Sequence, residues 1–579
     1  MARLTPLAKG LITITILGGA AAAVWHLGLK DMLGQGGADP AHEEASSGGL
    51  FGSRDDDDGG SGDSASSSAG GSASSSSSAR SSSQGSGSLG SSGNPLKVSI
   101  VSFHGYAPAI VANGKSLTTQ PGSIFAKQGV NVELIIQDDI PTLTTIFESG
   151  AAHCAWRTSD FWAQEQPNLR NSGHDGRAIV IVDNTQGGDA IIARDPSIQK
   201  VEDLAGKSIA LLQYTPSDGM TIDAIDNSSL TARKKQSVRY VYINAEEGTA
   251  GVRAALESGN VDAAALWDPD LALALKNIKG AHVVYSTKTA TNLIYDVMVC
   301  DQRLLTQPAN QPAFQGFVAG WLKGVDAAKS NPDEAVDALV KTEEFFGLLA
   351  KDEGKPFVKS LFKNIVWTGL EDNARILGLA GGTNHYERVY RRFDGIYRTA
   401  GALANPASPV INPQDSFDYR FVKNLLSADQ SAQKEAAKPE FTFTPEQREE
   451  AAQAAPQVTK PVIVSFATGA AALNKRAEKT IDEEMVPFIE NNGSAYFEVS
   501  GNTDSTGARD NNMRLSEARA QAVVDYLVRQ WDFPAQRFKV VGHGPDQPIC
   551  DERNPGAENL TLDDCRALNR TTRVAVFTR

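Results

Sequence analysis

Residues 495–529 read AYFEVSGNTDSTGARDNNMRLSEARAQAVVDYLVR, and three kinds of local structure follow one another along them. Ala495 to Ser500 predicts a strand, Gly501 to Gly507 a loop of turn-forming residues, and Asn512 to Arg529 a helix. A 100° step places Leu515, Ala518, Ala522, Val523, Tyr526 and Leu527 on one apolar stripe, and Arg519 falls inside it. A guanidinium half-buried on such a face demands a carboxylate or a bound anion, because an unpaired buried charge is costly. An internal ion pair, or an arginine that reaches the rim, is the plainer alternative.

Outward from this core, Val462 to Phe466 predicts a strand and Asn474 to Asn491 a helix. Phe538 to Gly542 and Thr572 to Phe577 predict two more strands. The order βαβαββ within residues 461–579 describes a compact two-layer α/β domain.

Upstream, residues 96–426 repeat a grammar of strand and helix. Lys97 to Phe103, Val130 to Ile136, Ala178 to Asp183, Ala190 to Ala193, Ser208 to Leu212 and Val261 to Trp267 predict strands. Helical stretches near Ala107 to Asn113, Thr142 to Ser149 and Val252 to Gly259 lie between them, which predicts a parallel sheet with helices on both faces. Beyond Asn310 the block is mainly helical. Residues 427–460, rich in Ala, Gln, Lys and Glu, predict a linker to the C-terminal domain.

The N-terminus has a different character. Arg3 and Lys9 precede an uncharged run from Gly10 to Leu29, followed by Lys30 and Asp31. At about 1.5 Å per residue the run covers roughly the 30 Å of a bilayer core. One transmembrane helix over residues 1–31, with its basic end in the cytoplasm, is the expectation. The small residues Ala20 to Ala23 leave a cleaved secretory signal open. Residues 32–95 are dominated by Ser, Gly, Ala and Asp and cannot bury enough apolar surface to order, so a flexible, disordered linker is expected. Its root-mean-square span is roughly 45 Å and its full reach about 200 Å.

The formal charge of −14 and a pI near 5.2, with no concentrated Lys/Arg face, exclude nucleic acid as a partner. Four cysteines occur, at 154, 300, 550 and 565. An exported compartment permits disulfides, and Cys550 with Cys565 would close a short loop. Cys154 and Cys300 sit in apolar contexts, where two buried thiols and a second bridge are both open.

The motif Gly501-Asn-Thr-Asp-Ser-Thr-Gly507, with Asn512-Met-Arg-Leu-Ser-Glu-Ala-Arg-Ala520 and Gly542-His-Gly-Pro-Asp-Gln-Pro548, resembles the OmpA-like peptidoglycan-associated family. The Cys550 and Cys565 pair is similar to the disulfide loop of some members. The resemblance implies recognition of the diaminopimelate side chain of the peptidoglycan stem peptide. Asp504 would receive its ammonium and Arg519 its carboxylate, with Asn512 and Thr503 shaping the pocket; a zwitterionic end needs one fixed anion and one planar double donor. Asn569-Arg-Thr-Thr-Arg-Val574 departs from the family's paired arginines and leaves the roles of Arg570 and Arg573 open.

In the middle block, Gly105-Tyr-Ala-Pro108, Val201-Glu-Asp-Leu-Ala-Gly-Lys207, Leu256-Glu-Ser-Gly-Asn-Val-Asp262 and Ala265-Leu-Trp-Asp-Pro269 resemble periplasmic substrate-binding proteins of ABC importers. The likeness is to the nitrate, sulfonate, taurine and thiamine-precursor branch. It implies two α/β lobes closing on a small solute at the strand ends. Candidate solute-binding residues in the turns there are Tyr106, Asp160, Gln186, Gly188, Thr215, Ser217, Asp218, Trp267 and Asp268. Each is equally a turn or capping residue of such a fold, and the acidic ones argue against a free anion as ligand.

Three function classes compete. The first is a membrane-tethered envelope protein, anchored in the inner membrane with periplasmic domains, that binds peptidoglycan and a small solute, with an ABC permease or envelope complex as partner. Export to the periplasm or association with the outer membrane is the alternative location. The second is a stator-like or scaffold component, but Gly10 to Leu29 holds no carboxylate to carry ions. The third is an enzyme akin to thiamine-pyrimidine synthases. Eight scattered histidines, no His/Cys cluster and no nucleophile elbow speak against catalysis, so no catalytic residue, metal or cofactor is expected.

Overall fold

The computed structural model describes residues 87–438, 444–453, 455–467 and 469–577. The expected anchor or signal over 1–31, and the linker as far as residue 86, lie outside the described residues. Among the described residues no helix is long and apolar enough to cross a membrane.

Three sheets organise the chain. The first is built from β1 (Leu96–Ile100), β2 (Val132–Ile136), β3 (Cys154–Thr158), β4 (Gly176–Thr185), and, after a long excursion, β10 (Tyr295–Asp301) and β11 (Ile365–Trp367). Its order is β11-β4-β10-β3-β1-β2. The second contains β5 (Asp189–Ala193), β6 (Ser208–Leu211), β7 (Arg239–Tyr242), β8 (Ala263–Trp267) and β9 (His282–Ser286), in the order β7-β6-β8-β5-β9. The third holds β12 (Val458–Val462), β13 (Tyr496–Asn502), β14 (Phe538–Gly544) and β15 (Thr572–Phe577), in the order β12-β15-β13-β14.

The second sheet is an insertion in the first. The chain leaves through residues 186–188 and returns through 287–294, so two crossings join two lobes. This route explains why neither sheet is purely parallel, as the strand–helix alternation predicts. The strands beside the crossings run against their neighbours: β10 is antiparallel to β3 and β4, and β5 is antiparallel to β8 and β9. Only β1 with β2 and β3, and β6 with β7 and β8, keep the parallel arrangement. Cys154 and Cys300, opposite each other on β3 and β10, form a disulfide, which settles the question the sequence left open.

The predicted 427–460 linker is partly structured. Gln430–Ala436 and Pro445–Gln453 are helical, and Ala432 and Ala436 are buried against Ala374 and Leu426. Small side chains in a polar stretch can still pack tightly at one face, a contact that composition does not reveal.

In the third sheet the first strand lies four residues earlier than predicted, at Val458–Val462. The helix predicted from Asn474 to Asn491 is interrupted: Lys475–Thr480 leads through a π turn, Ile481–Met485, into Val486–Asn491. Pro487 follows the turn and has no N–H for the helical ladder. Arg509–Trp531 is continuous and crosses close over β13. Gly501 permits that approach, since a Cβ there would lie 1.9 Å from the Ser516 carbonyl oxygen.

This C-terminal unit docks against the inserted lobe and its returning crossing. Thr459 N–H donates to Glu202 Oε1 at 2.8 Å and Val201 N–H to the Gln457 carbonyl at 2.9 Å. On the crossing itself, Asn292 donates through its backbone N–H to the Asn491 carbonyl at 3.1 Å and through Nδ2 to the Glu490 carbonyl at 2.7 Å. Ser494 Oγ donates to the Lys288 carbonyl at 2.7 Å.

Candidate functional site

Two separate sites emerge. The first is a pocket of about 460 Å³ in the C-terminal unit, lined by Phe466, Thr503, Asp504, Asn512, Leu515, Arg519 and Arg570 among others. The strand β13 runs out at Asn502, so Thr503 and Asp504 follow at its end. The helix Arg509–Trp531 begins beside them and presents Asn512 and, two turns on, Arg519.

Each polar side chain here is held in place. Asp504 is 8% exposed, and its Oδ1 accepts from Thr506 N–H at 3.0 Å while its Oδ2 accepts from Arg570 Nη1 at 2.5 Å. Arg519 donates through Nε to the Ala470 carbonyl at 3.0 Å and lies over the Phe466 ring, 4.9 Å from its centroid. Desolvation lowers its pKa. Its Nη2 reaches the Ala467 carbonyl at 3.4 Å, and no carboxylate pairs with Arg519 among the described residues, so Nη1 is left to meet an anion. Asn512 Nδ2 donates to the Thr506 carbonyl at 3.0 Å, and Thr503 Oγ1 to the Asp504 carbonyl at 3.0 Å. The four residues singled out in the sequence thus surround one pocket.

Arg570 joins them, and the ambiguity with Arg573 resolves by position. Arg573 is opposite Ser500 in the sheet, buried, and donates Nε to Thr571 Oγ1 at 3.2 Å; burial pushes it down to about 10. Arg570 precedes β15 and reaches the pocket. Beyond it, Cys550 and Cys565 are disulfide-bonded.

The second site is a cleft between the lobes, a cavity of about 240 Å³. Phe103, Trp156, Thr158, Thr185, Asp296 and Phe345 line it from the first lobe, and Asp189, Pro216, Trp267 and Asp270 from the inserted one. Asp296 lies at its inner end, where Tyr106 Oη and Trp156 Nε1 both donate to Oδ2, at 2.7 and 2.8 Å. Burial pushes Asp296 up to about 7. Burial, with the nearby charges of Asp296, Asp160 and Asp268, raises Asp189 well above the usual carboxylate range.

Of the nine solute-binding candidates, only Trp267 is among the lining residues. Tyr106 acts from behind through Asp296. Asp160 is fully buried, close to the Tyr397 hydroxyl at 3.4 Å, and burial raises it to about 6. Asp268 accepts from Asn364 Nδ2 at 2.7 Å and from Ala272 N–H at 3.1 Å, and burial brings it to about 7. Gly188 gives its carbonyl to Asp268 N–H at 2.8 Å, and Gln186 N–H donates to the Asn364 carbonyl at 2.8 Å. Thr215 Oγ1 donates to the Leu212 carbonyl at 2.7 Å, Ser217 is buried, and Asp218 accepts from Tyr214 N–H at 2.8 Å. At the start of the helix Pro216–Asp226, Thr215 and Asp218 are thus engaged locally, while the buried Ser217 hydroxyl has no partner among the described residues. Phe103 and Asp189, at the ends of the candidate turns 103–106 and 186–189, do line the cavity, whereas Trp156, Asp296 and Phe345 lie outside every candidate turn. Among the described residues no His/Cys/Asp/Glu group could hold a metal ion.

Comparison with known proteins matches both regions. The OmpA family model matches residues 465–560, and a family described as NMT1/THI5 like matches residues 120–335. The C-terminal region is thus similar to the OmpA family and the middle block to the NMT1/THI5-like family. Similar curated proteins include outer membrane porin F of Pseudomonas aeruginosa, 35% identical over 94 residues, covering 16% of this chain and 25% of that one. The probable lipoprotein YiaD of Escherichia coli is 34% identical over 116 residues, covering 20% and 48%. The peptidoglycan-associated lipoprotein of Pseudomonas putida is 38% identical over 77 residues, covering 13% and 45%. The chain spans about a fifth to a half of the length of the curated relatives it matches. Among solved structures, the aliphatic sulphonate binding protein SsuA of Escherichia coli aligns with a TM-score of 0.43 and 15% identity, covering 56% of this chain and 97% of that one. The alkanesulfonate-binding SsuA of Xanthomonas axonopodis bound to MOPS gives 0.41 and 14%, covering 56% and 98%.

Proposed function

We propose that this chain is a non-catalytic envelope protein that holds peptidoglycan in its C-terminal pocket and captures a small solute between the lobes of its middle block. The observation that carries the reading is the pairing of Asp504 and Arg519 in one pocket. A carboxylate and a guanidinium with spare donors suit the ammonium and carboxylate of a diaminopimelate side chain, and Thr503 and Asn512 fix the loop between them. The interlobe cleft, closed by aromatic rings and reached through two crossings, suits a small solute for transport or sensing, with an ABC permease as the natural recipient.

The uncharged run from Gly10 to Leu29 supports a tether in the inner membrane, and the Ser/Gly-rich stretch after it would give the domains reach toward the wall. Carbonate extraction of membranes from cells making the full chain tests the tether: recovery in the soluble fraction would remove it. Retention of the full-length protein on diaminopimelate-type peptidoglycan, compared with Asp504→Ala and Arg519→Ala, tests the wall-binding reading. Equal retention of both folded variants would refute it.

A further inference from the structure

We infer that the interlobe cleft takes a small organic cation, an amine or quaternary ammonium carrying apolar substituents, with Asp189 and Asp296 as its counter-charges. This rests on the solute-binding reading above and names the chemistry of that solute.

The charge of the lining is one-sided. Its ionisable residues are Asp138, Asp189, Glu247, Asp270 and Asp296, with no lysine or arginine among them. Asp270 alone of the five pairs with a cation, Arg253 at 2.8 Å; Asp138 accepts from the Ser102 hydroxyl at 2.8 Å, and Asp296 from the neutral donors of Tyr106 and Trp156. Arg157 is the nearby guanidinium that could have offset the rest. It is buried and paired with Glu165, Nη2 to Oε1 at 2.7 Å, so it adds no net charge.

Asp189 and Asp296 therefore face the cavity without a cationic partner, at 3% exposure each. Behind them Asp183, wholly buried, has no donor on either oxygen. The hydroxyls of Thr158 and Thr185, both buried and both lining the cavity, face Asp160 and Asp189 without regular hydrogen-bond geometry. Leaving carboxylates in this state opposes folding, and a site-specific cost of that kind is retained where a ligand supplies the missing charge.

The walls point the same way. Phe103, Trp156, Trp267 and Phe345 offer ring faces, which attract a desolvated cation through their quadrupoles and bury its alkyl groups. An anion would bring its charge into a low-dielectric cleft whose acids have no lysine or arginine beside them to offset it. A cavity of about 240 Å³ limits the occupant to a few carbon atoms around one charged centre.

The test is thermal melting of the full-length protein with 0.1–10 mM choline, tetramethylammonium, ethylammonium or ethanesulfonate, the last as a size-matched anion; these concentrations follow the roughly millimolar to micromolar range of small-solute capture. At least one cation should raise Tm, and Asp189→Asn and Asp296→Asn should each weaken that cation at least ten-fold. The empty Asp189→Asn variant should melt no lower than wild type, because the residue it alters serves the ligand. A rise with ethanesulfonate alone would overturn the cation assignment and leave the solute-binding reading standing. No rise with any cation would overturn the assignment as well, and a screen of neutral solutes would then decide the solute-binding reading by itself. A marked drop in Tm of empty Asp189→Asn would mark the carboxylate as structural and also sink the proposal.

Discussion

The Arg570 guanidinium rests on the Asp504 carboxylate at 2.5 Å, inside the pocket that Arg519 also lines. An incoming ammonium must share or displace that contact. Asp504→Ala and Arg519→Ala should each reduce retention on peptidoglycan ten-fold or more, since each removes one half of a charge-assisted pair. Arg570→Ala should retain the wall polymer as well as wild type or better, at a stability cost of about 0.5–1 kcal/mol for a partly exposed ion pair. Sedimentation with isolated sacculi, alongside urea unfolding, measures both; a ten-fold loss in Arg570→Ala would mean that Arg570 itself contacts the stem peptide.

The two disulfides should differ in weight. Cys154–Cys300 spans 146 residues and Cys550–Cys565 spans 15. In the chain-entropy model such loops contribute about 5 and about 3 kcal/mol. Replacing Cys154 and Cys300 with Ala should lower the denaturant midpoint of the two-lobed block more than replacing Cys550 and Cys565 lowers that of the C-terminal unit. Equal shifts would show that native packing, and not loop closure, dominates.

The cleft carboxylates predict a pH slope. Asp296 is pushed up to about 7 and Asp189 is raised, whereas an unfolded aspartate titrates near ~3.9. Between these values the folded state holds protons that the unfolded chain has released, so the empty protein should lose stability as pH rises from about 4 to about 7. Tyr106, Asp160, Asp183, Asp268 and the Arg157–Glu165 pair surround the two groups, and Asp160, Asp183 and Asp268, each raised by burial, reinforce the trend. Asp296→Asn should flatten the slope in a melting series; an unchanged slope would assign it to other groups.

The docking of the C-terminal unit can be loosened at one glycine. A Cβ on Gly493 would lie 2.7 Å from both Asn292 Nδ2 and Thr291 Oγ1. Gly493→Val should therefore separate the unit from the returning crossing, and amide exchange over 289–294 should speed up markedly while exchange in β13 stays slow. Unchanged exchange at 289–294 would show that the crossing is protected without this contact.

Much of this architecture was legible in the residues. The helical stripe around Arg519 and the loop carrying Asp504 marked the C-terminal pocket, because both lie within one continuous stretch whose periodicity sets their faces. The solute cleft was far less legible. Asp296 and Trp156 meet although 140 residues separate them, and β10, which carries Asp296, shows no alternation since all seven of its residues are buried. The turns were found, but the side chains facing the cavity depend on which way the strands beside the crossings run, and period alone does not encode direction. Arg570 and Arg573 separate only once the register of β15 against β13 is known.

Asn292 belongs to one of the two segments that join the lobes, and Asn491 and Glu490 of the C-terminal unit grip it. On the proposed reading, a load borne at Asp504 and Arg519 would reach the junction of the two lobes directly.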